Sequence, residues 1–176
     1  CVVKILAHQQ VVDLQDKATL CGAVSIGTRW IEIKAAVPAA LDDLEGFTSL
    51  GFDDHIKLIF ADPATGALPS TTDGPRPPMR DYTPRRFDAM AQTLEIDFAL
   101  HDAGPATQWA EQATPGQQIG VGGPRGSMVI PMAFDGYLLV GDDTALPAIA
   151  RRLAELPAGA PVVVLAEVDS PADELV

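Results

Sequence analysis

One short stretch, Arg80-Asp81-Tyr82-Thr83-Pro84-Arg85, brings together a planar cation, an aromatic ring and a hydroxyl group. On a strand, Arg80 and Tyr82 project to the same face, so both could contact one flat, anionic ligand. Thr83 has the opposite parity, but its amide and hydroxyl could reach the ligand's edge where the strand ends at Pro84. An ordinary cross-strand pair explains Arg80 and Tyr82 equally well. The spacing alone therefore leaves a ligand site and a cross-strand pair as alternatives.

Basic residues are concentrated around this stretch in a chain that is otherwise acidic. The formal net charge is −12 at pH 7, which excludes general nucleic-acid binding because that needs a basic surface. Residues 1–73 carry five basic and ten acidic side chains, and residues 89–176 carry three and twelve. Residues 74–88 carry four arginines against two aspartates. This local excess predicts a site for an anion such as a phosphate, with solvated loop arginines as the alternative.

Strand signals dominate the first two thirds of the chain, so strands must position these residues. Residues 93–100 alternate apolar and polar side chains, which is the period of a half-buried strand. Residues 29–37, 55–60 and 117–122 show the same pattern less clearly. Short strands separated by turns favour an antiparallel barrel or sandwich.

Two connections have distinct signals. Residues 61–79 contain five prolines and predict a long surface loop. Residues 104–113 predict a short helix, with Gly104 at the cap and Pro105 at the first helical position, where its missing N–H costs nothing.

The pattern changes after Gly136. Residues 137–140 and 161–165 are continuous apolar runs, typical of strands buried on both faces. Residues 145–156 between them have helical periodicity, with Arg151, Arg152 and Glu155 opposite the apolar stripe. A strand, a helix and a parallel strand predict an α/β unit, so we place a domain boundary near residue 133. Because one such unit cannot cover both faces of a sheet, we expect the natural chain to continue beyond residue 176 or a partner to complete it.

Signals for export, membrane insertion and metal binding are missing from the sequence. No apolar run reaches the roughly 18 residues that cross a bilayer, and no basic segment with a short apolar stretch opens the chain. Cys1 and Cys21 lack the spacing of a metal knuckle, and the three histidines are far apart, so we expect no metal site. We expect a cytoplasmic, monomeric protein, and since the sequence begins with Cys1 we expect its natural start to lie upstream.

Five motifs occur in a fixed order that is typical of one protein family. The Arg80–Arg85 stretch is followed by Asp97-Phe98-Ala99-Leu100-His101, by Gly104-Pro105-Ala106-Thr107, by Gly122-Gly123-Pro124-Arg125-Gly126-Ser127 and by Gly141-Asp142-Asp143-Thr144-Ala145-Leu146-Pro147. From about residue 47 to 168 this order resembles the siderophore-interacting proteins. These are cytoplasmic flavin reductases of the ferredoxin-reductase superfamily that take iron from ferric siderophores.

The resemblance implies a two-domain fold. Residues 1–133 would form an antiparallel, Greek-key β-barrel that binds flavin, and residues 134–176 would begin a doubly wound α/β domain for a nicotinamide nucleotide. The second domain would be incomplete in this chain.

The resemblance also implies roles for particular residues. Tyr82 and Thr83 would be catalytic, the first stacking on the isoalloxazine ring and the second bonding near its N5 atom, while Arg80 would pair with the flavin phosphates. Further cofactor contacts are expected from Asp97, Phe98, His101, Gly104, Ala106, Thr107, Gly141, Thr144 and Ala145. Ordinary helix capping also explains Gly104, and it explains either Asp142 or Asp143 as an N-cap.

The implied activity passes electrons from NADPH or NADH through FAD to Fe(III) in a siderophore. Reduction to Fe(II) weakens a chelate of hard oxygen ligands and frees the metal. Lys57, Arg85 and Arg86 would attract the anionic chelate. Reduced ferredoxin stays open as a partner and donor. Two rival functions also stay open, a flavin oxidoreductase with a protein acceptor and a flavin- or siderophore-binding module without turnover.

Overall fold

The computed structural model describes residues 4–6, 16–25, 30–36, 44, 46–62, 64–69, 77–100 and 104–168, with backbone alone for residues 4–36. His101, predicted to contact the cofactor, lies outside these residues, as does Arg76 of the basic segment.

Eleven strands and two α-helices run through the described residues. The strands are β1 Lys4–Leu6, β2 Asp16–Ser25, β3 Trp30–Ala36, β4 Ile56–Phe60, β5 Met79–Tyr82, β6 Arg86–Asp88, β7 Thr93–Ala99, β8 Gln118–Gly122, β9 Ser127–Val129, β10 Tyr137–Asp142 and β11 Val162–Glu167. Helix α1 spans Pro105–Glu111, and a 3-10 turn at Asp143–Ala145 leads into α2 at Leu146–Glu155. Strands β3, β4, β7 and β8 and helix α1 confirm the elements predicted from the sequence.

Seven strands form one sheet in the order β5-β4-β8-β2-β3-β7-β6, with every neighbouring pair antiparallel. The alternation of β7 buries Leu94, Ile96 and Phe98, each at most 1 % exposed. They pack with buried residues of β4 and β8, namely Ile56, Leu58, Ile119 and Val121. Removing these side chains from water is the main stabilisation of this unit.

The two edges of this sheet are close together. Strands β5 and β6 lie at opposite edges, yet only residues 83–85 join them. A flat sheet of seven strands would separate its edges by roughly 29 Å. The four Cα steps from Tyr82 to Arg86 span at most about 15 Å. The sheet must therefore curl, and residues 83–85 cross between its edges.

Strands β10 and β11 are parallel with α2 between them in sequence, which confirms the predicted strand, helix and parallel strand. The prediction that β10 is buried on both faces is wrong for the described residues. Leu138 and Val140 are 63 % and 64 % exposed, while α2 packs near Gly141 on the other face. Residues 137–140 are apolar as predicted, but only the face of β10 toward α2 is covered. No element among residues 134–168 covers its other face.

The orientation predicted for α2 also needs correction. Arg151 and Arg152 are only 8 % and 3 % exposed, whereas Leu153 is 43 % exposed. Both guanidinium groups donate to oxygen atoms outside the helix, including the backbone carbonyls of Pro84 and Pro131. Because these bonds compensate the loss of hydration, the polar side of α2 faces protein instead of water.

None of the helices among the described residues is long and apolar enough to cross a membrane. Within the same ranges, no three or more His, Cys, Asp or Glu side chains come together in a way that could hold a metal ion.

Candidate functional site

A cavity of about 370 Å³ lies where the ends of β5 and β7 meet the start of α1 and the turn before α2. Segments far apart in sequence contribute to it, with lining residues His55, Arg80, Asp81, Tyr82, Thr83, Asp97, Ala99, Gly104, Ala106, Thr107, Thr144 and Pro147. Eight of these were predicted as cofactor contacts from the sequence. Of the predicted cofactor contacts that the structure describes, Phe98, Gly141 and Ala145 do not line the cavity.

Tyr82 is half-buried and rests on the core. Its ring centroid lies 4.4 Å from that of Phe98, with an interplanar angle of 36°. Phe98 has no exposed surface and also lies 5.9 Å from the ring of Trp109. The predicted cofactor contact of Phe98 therefore needs correction, because its side chain packs behind Tyr82. The sequence placed Phe98 on the apolar face of β7 but could not show which ring it would support.

Burial raises the pKa of Tyr82 to about 12, and the positive charge of Arg80 opposes this only partly. The phenol thus stays protonated and neutral at physiological pH. The ordinary pKa of about 10 applies to the unfolded chain. The stabilising contribution of the neutral phenol is thus complete below pH 10 and is lost as pH rises through 12.

Ultraviolet titration at 295 nm should show this late ionisation directly. We expect the wild type to show a phenolate step near pH 12 that the Tyr82→Phe variant lacks. The variant still contains Tyr137, so its titration provides the baseline. A wild-type curve complete by pH 10.5, with the protein still folded by circular dichroism, would contradict the burial of this phenol.

Arg80 and Lys57 carry positive charge at the β5 edge of the sheet. Arg80 is exposed, and its Nη1 donates to the carbonyl of Met79 at 3.0 Å. Lys57, on neighbouring β4, forms an ion pair with Asp81, its cross-strand partner. Asp81 offsets part of the Lys57 charge, and the role of Lys57 in attracting the substrate stays a prediction.

Arg85 and Arg86 lie on either side of the point where β6 begins. The Nε atom of Arg85 is 3.4 Å from Oδ2 of Asp97, whose side chain is only 4 % exposed. The amide of Arg85 also donates to the carbonyl of Glu95 at 2.9 Å. Arg85 therefore compensates a buried carboxylate that lines the cavity, and its role in attracting substrate stays a prediction. Arg86 is exposed, with Glu95 opposite it on β7.

The turn before α2 brings Thr144 to the cavity. Oδ1 of Asp142 accepts from the Thr144 amide at 3.1 Å and from its hydroxyl at 2.6 Å. The Thr144 hydroxyl, as the largest cause, holds the pKa of the Asp142 carboxyl below its usual value. Asp142 thus caps the turn, and the structure selects it from the two aspartates that the capping alternative named. A Cβ atom on Gly141 would lie 2.4 Å from the Cβ of Ala145, so close packing against Ala145 explains the glycine.

His55 lines the cavity but was given no role from the sequence. It directly precedes β4, whose first residue, Ile56, pairs with Tyr82. The antiparallel pairing of β4 with β5 therefore brings His55 beside Thr83. Only the strand register carries this information, since 28 residues separate the two positions in the chain.

Comparison with known proteins identifies the family. Residues 36–128 match the model of the siderophore-interacting FAD-binding domain, and residues 134–176 match that of the siderophore-interacting protein. The chain belongs to the siderophore-interacting protein family.

Relatives of this siderophore-interacting chain include named reductases. The NADPH-dependent ferric-chelate reductase of Escherichia coli is 48 % identical over 121 residues, covering 64 % of this chain and 47 % of the relative. The ferric vibriobactin reductase ViuB of Vibrio cholerae is 34 % identical over 142 residues, covering 76 % and 52 %. The siderophore-interacting chain thus spans about half the length of these curated relatives.

Solved structures agree with the family assignment. A siderophore utilization protein from T. fusca has a TM-score of 0.79 and 38 % identity, covering 98 % of this siderophore-interacting chain and 66 % of its own. The cytochrome b5 reductase domain of Ulva prolifera nitrate reductase has a TM-score of 0.66 at 15 % identity, covering 92 % and 64 %. The second likeness shows that this chain has a ferredoxin-reductase-like fold.

Proposed function

We propose that this chain binds FAD in the cavity beside Tyr82, and that the protein reduces ferric siderophores with electrons from NADPH or NADH. The observation that carries the proposal is the convergence of Arg80, Tyr82, Thr83 and Thr107 on one cavity in a member of this family. They offer a cation, a flat ring and two hydroxyl groups, which a flavin dinucleotide requires.

The side chains that line the cavity fit this cofactor. Tyr82 lines the cavity with a ring backed by Phe98, which suits it to cover an isoalloxazine. Thr83 offers a hydroxyl and an amide at the end of β5, and Arg80 offers positive charge for the phosphates. Gly104, Ala106 and Thr107 line the cavity at the start of α1. When bound, FAD supplies the conversion between a two-electron donor and a one-electron acceptor.

We further propose that the curled sheet is a Greek-key β-barrel and that residues 134–176 begin the nicotinamide-nucleotide domain. The three-residue join between β5 and β6 and the parallel pair β10–β11 support this division. A boundary near residue 133 falls between the two stretches that match the family models. Thr144, in the turn that follows β10, lines the cavity at the point where a doubly wound domain binds its nucleotide.

The proposed substrate is a ferric siderophore, as the names of the ferric-chelate and vibriobactin reductases suggest. Hard oxygen ligands hold Fe(III) through its high charge, so transfer of one electron weakens the chelate and releases Fe(II). We propose that Arg86, exposed on β6 opposite Glu95, attracts the anionic chelate, because Lys57 and Arg85 already pair with Asp81 and Asp97.

Arg80→Ala is expected to weaken FAD binding by about 10- to 100-fold, because it removes a charge-assisted contact to phosphate worth about 1.5–3 kcal/mol. Titration of the apoprotein with FAD, followed by flavin fluorescence, measures this change. Arg125→Ala is the matched control, since Arg125 is exposed and does not line the cavity. Equal affinities for the wild type and Arg80→Ala would remove Arg80 from the site.

The reaction itself is tested by trapping Fe(II) with a ferrous-specific dye. We expect Fe(II) to form from a ferric siderophore with NADPH or NADH faster than with free FAD alone. If Fe(II) forms only with reduced ferredoxin, the electron donor is ferredoxin and not NADPH or NADH. If NADPH oxidation requires a protein acceptor, the result favours the flavin oxidoreductase that passes electrons to a protein. FAD binding without Fe(II) from any of these donors would overturn the reductase proposal in favour of a binding module.

A further inference from the structure

A guanidinium group from α2 holds the segment that joins β5 to β6. Arg151 donates from Nη1 to the carbonyl of Pro84 at 2.8 Å and to the hydroxyl of Ser49 at 2.7 Å. Its Nη2 donates to the carbonyl of Ser49 at 3.0 Å, and its Nε pairs with Glu155 at 2.8 Å. All three nitrogen atoms of this buried side chain are thus engaged, and two of them bond outside α2.

The Ser49 partner is itself fixed by a buried carboxylate. The Ser49 hydroxyl donates to Oδ2 of Asp54 at 2.9 Å, and the same oxygen accepts from the Ser127 hydroxyl at 2.7 Å and from the Gly51 amide at 3.0 Å. Asp54 is 4 % exposed. Ser49, Gly51 and Asp54 lie in one segment and Ser127 lies on β9, so the acceptor that Arg151 meets is held by contacts outside α2.

The same segment is held from the other side by β7. The Arg85 amide bonds the Glu95 carbonyl, and the Arg85 side chain pairs with Asp97. Pro84, between these contacts, is among the fully buried residues. Thr83 precedes it and lines the cavity. A shift of the Pro84 carbonyl must therefore displace Thr83 or break a bond to β7.

We propose that Arg151 is a positioning residue for the flavin site. By holding the Pro84 carbonyl, it fixes the backbone of Thr83 and the end of β5, so FAD affinity depends on the docking of α2 against the curled sheet. The inference rests on the proposed function, because it assumes that FAD occupies this cavity. Coupling of this kind is reciprocal, so FAD should in turn stabilise the docked position of α2.

Arg152 provides the comparison that separates positioning from general stability. It lies on the same helix, is even more buried, and donates to the Pro131 carbonyl at 3.3 Å. Its guanidinium carbon lies 5.0 Å from the ring centre of Phe52 and 5.5 Å from that of Tyr137. None of its described contacts reaches residues 83–85, so its loss should destabilise the protein without moving Thr83.

The experiment compares Arg151→Gln, Arg152→Gln and the wild type in three measurements. Hydrogen exchange of residues 83–88 is measured without FAD, FAD affinity is measured by titration, and the visible spectrum of the bound flavin is recorded. For Arg151→Gln we expect exchange at residues 83–88 at least tenfold faster, FAD binding weaker by roughly tenfold, and a shifted flavin absorbance band. Arg152→Gln should lower the melting temperature while all three measurements stay at wild-type values.

The inference would be overturned if Arg151→Gln showed the hydrogen exchange, FAD affinity and flavin spectrum of the wild type. It would also be overturned if Arg152→Gln changed these three measurements as much as Arg151→Gln does. If Arg151→Gln does not fold, Arg151→Lys takes its place, because lysine keeps the charge but its shorter side chain leaves its single nitrogen short of the Nη1 position that bonds both Pro84 and Ser49. Wild-type values in Arg151→Lys would then overturn it. Failure of the wild type to bind FAD would overturn the proposed function, and with it the inference that FAD affinity depends on Arg151. The hydrogen-exchange data would still decide whether Arg151 holds residues 83–85.

Discussion

Phe98→Ala is expected to lower the free energy of unfolding by about 3–5 kcal/mol, the cost of deleting a large aromatic side chain from a close-packed core. Phe98 has no exposed surface and packs on both Tyr82 and Trp109. Its loss leaves a cavity behind the Tyr82 ring, so that ring can tilt into the core. FAD affinity should therefore fall together with stability, although Phe98 does not line the cavity itself. Chemical denaturation and FAD titration measure the two effects.

Leu94→Ala is the matched control for this prediction. Leu94 is as buried as Phe98 and lies on the same face of β7, so its truncation should cost about 2–5 kcal/mol. It does not line the cavity, so FAD affinity of the folded fraction should stay within about twofold. Phe98→Leu keeps most of the volume and tests the ring specifically if Phe98→Ala is too unstable. Equal FAD affinities in Phe98→Leu and the wild type would show that Tyr82 does not need this support.

Local pattern predicted most of the elements that position the site. The alternation of residues 93–100 fixed β7 within one residue, and Pro105 marked the first residue of α1. Both signals depend on interactions within a few residues. The ordered motifs then identified eight residues of the cavity, because a family resemblance carries information about which distant segments meet.

Local sequence pattern could not predict which partners the charged side chains would find in the folded protein. Helical periodicity placed Arg151 and Arg152 on the polar side of α2, but it could not show that Pro84 and Pro131 provide acceptors there. Residues 74–88 do carry an excess of positive charge. A count of charges, however, does not show that Asp97 on β7 pairs with Arg85. Tertiary contacts decide whether a charge is solvated, buried or offset, and these contacts depend on strand order.

Arg85→Gln and Arg86→Gln are expected to differ sharply, although the two residues are adjacent. Arg85→Gln weakens the compensation of the buried Asp97 carboxylate, so we expect a loss of about 2–3 kcal/mol in the free energy of unfolding, below the cost at a fully buried pair because Arg85 is partly exposed. Arg86→Gln should change stability by no more than about 0.5 kcal/mol. It should raise the KM for an anionic ferric chelate, since Arg86 is exposed and its attraction acts on the approaching substrate.

A second substitution and a change of salt separate these two effects. Asp97→Asn in the Arg85→Gln background removes the buried charge that needs compensation, so it should restore part of the lost stability, a coupling that a double-mutant cycle measures. No such recovery would show that the Arg85–Asp97 pair contributes little. The KM effect of Arg86→Gln should shrink as salt is raised, because exposed charges are screened within about 10 Å at 0.1 M. An effect that does not depend on salt would instead mean that Arg86 acts through the structure of β6 and not through its charge.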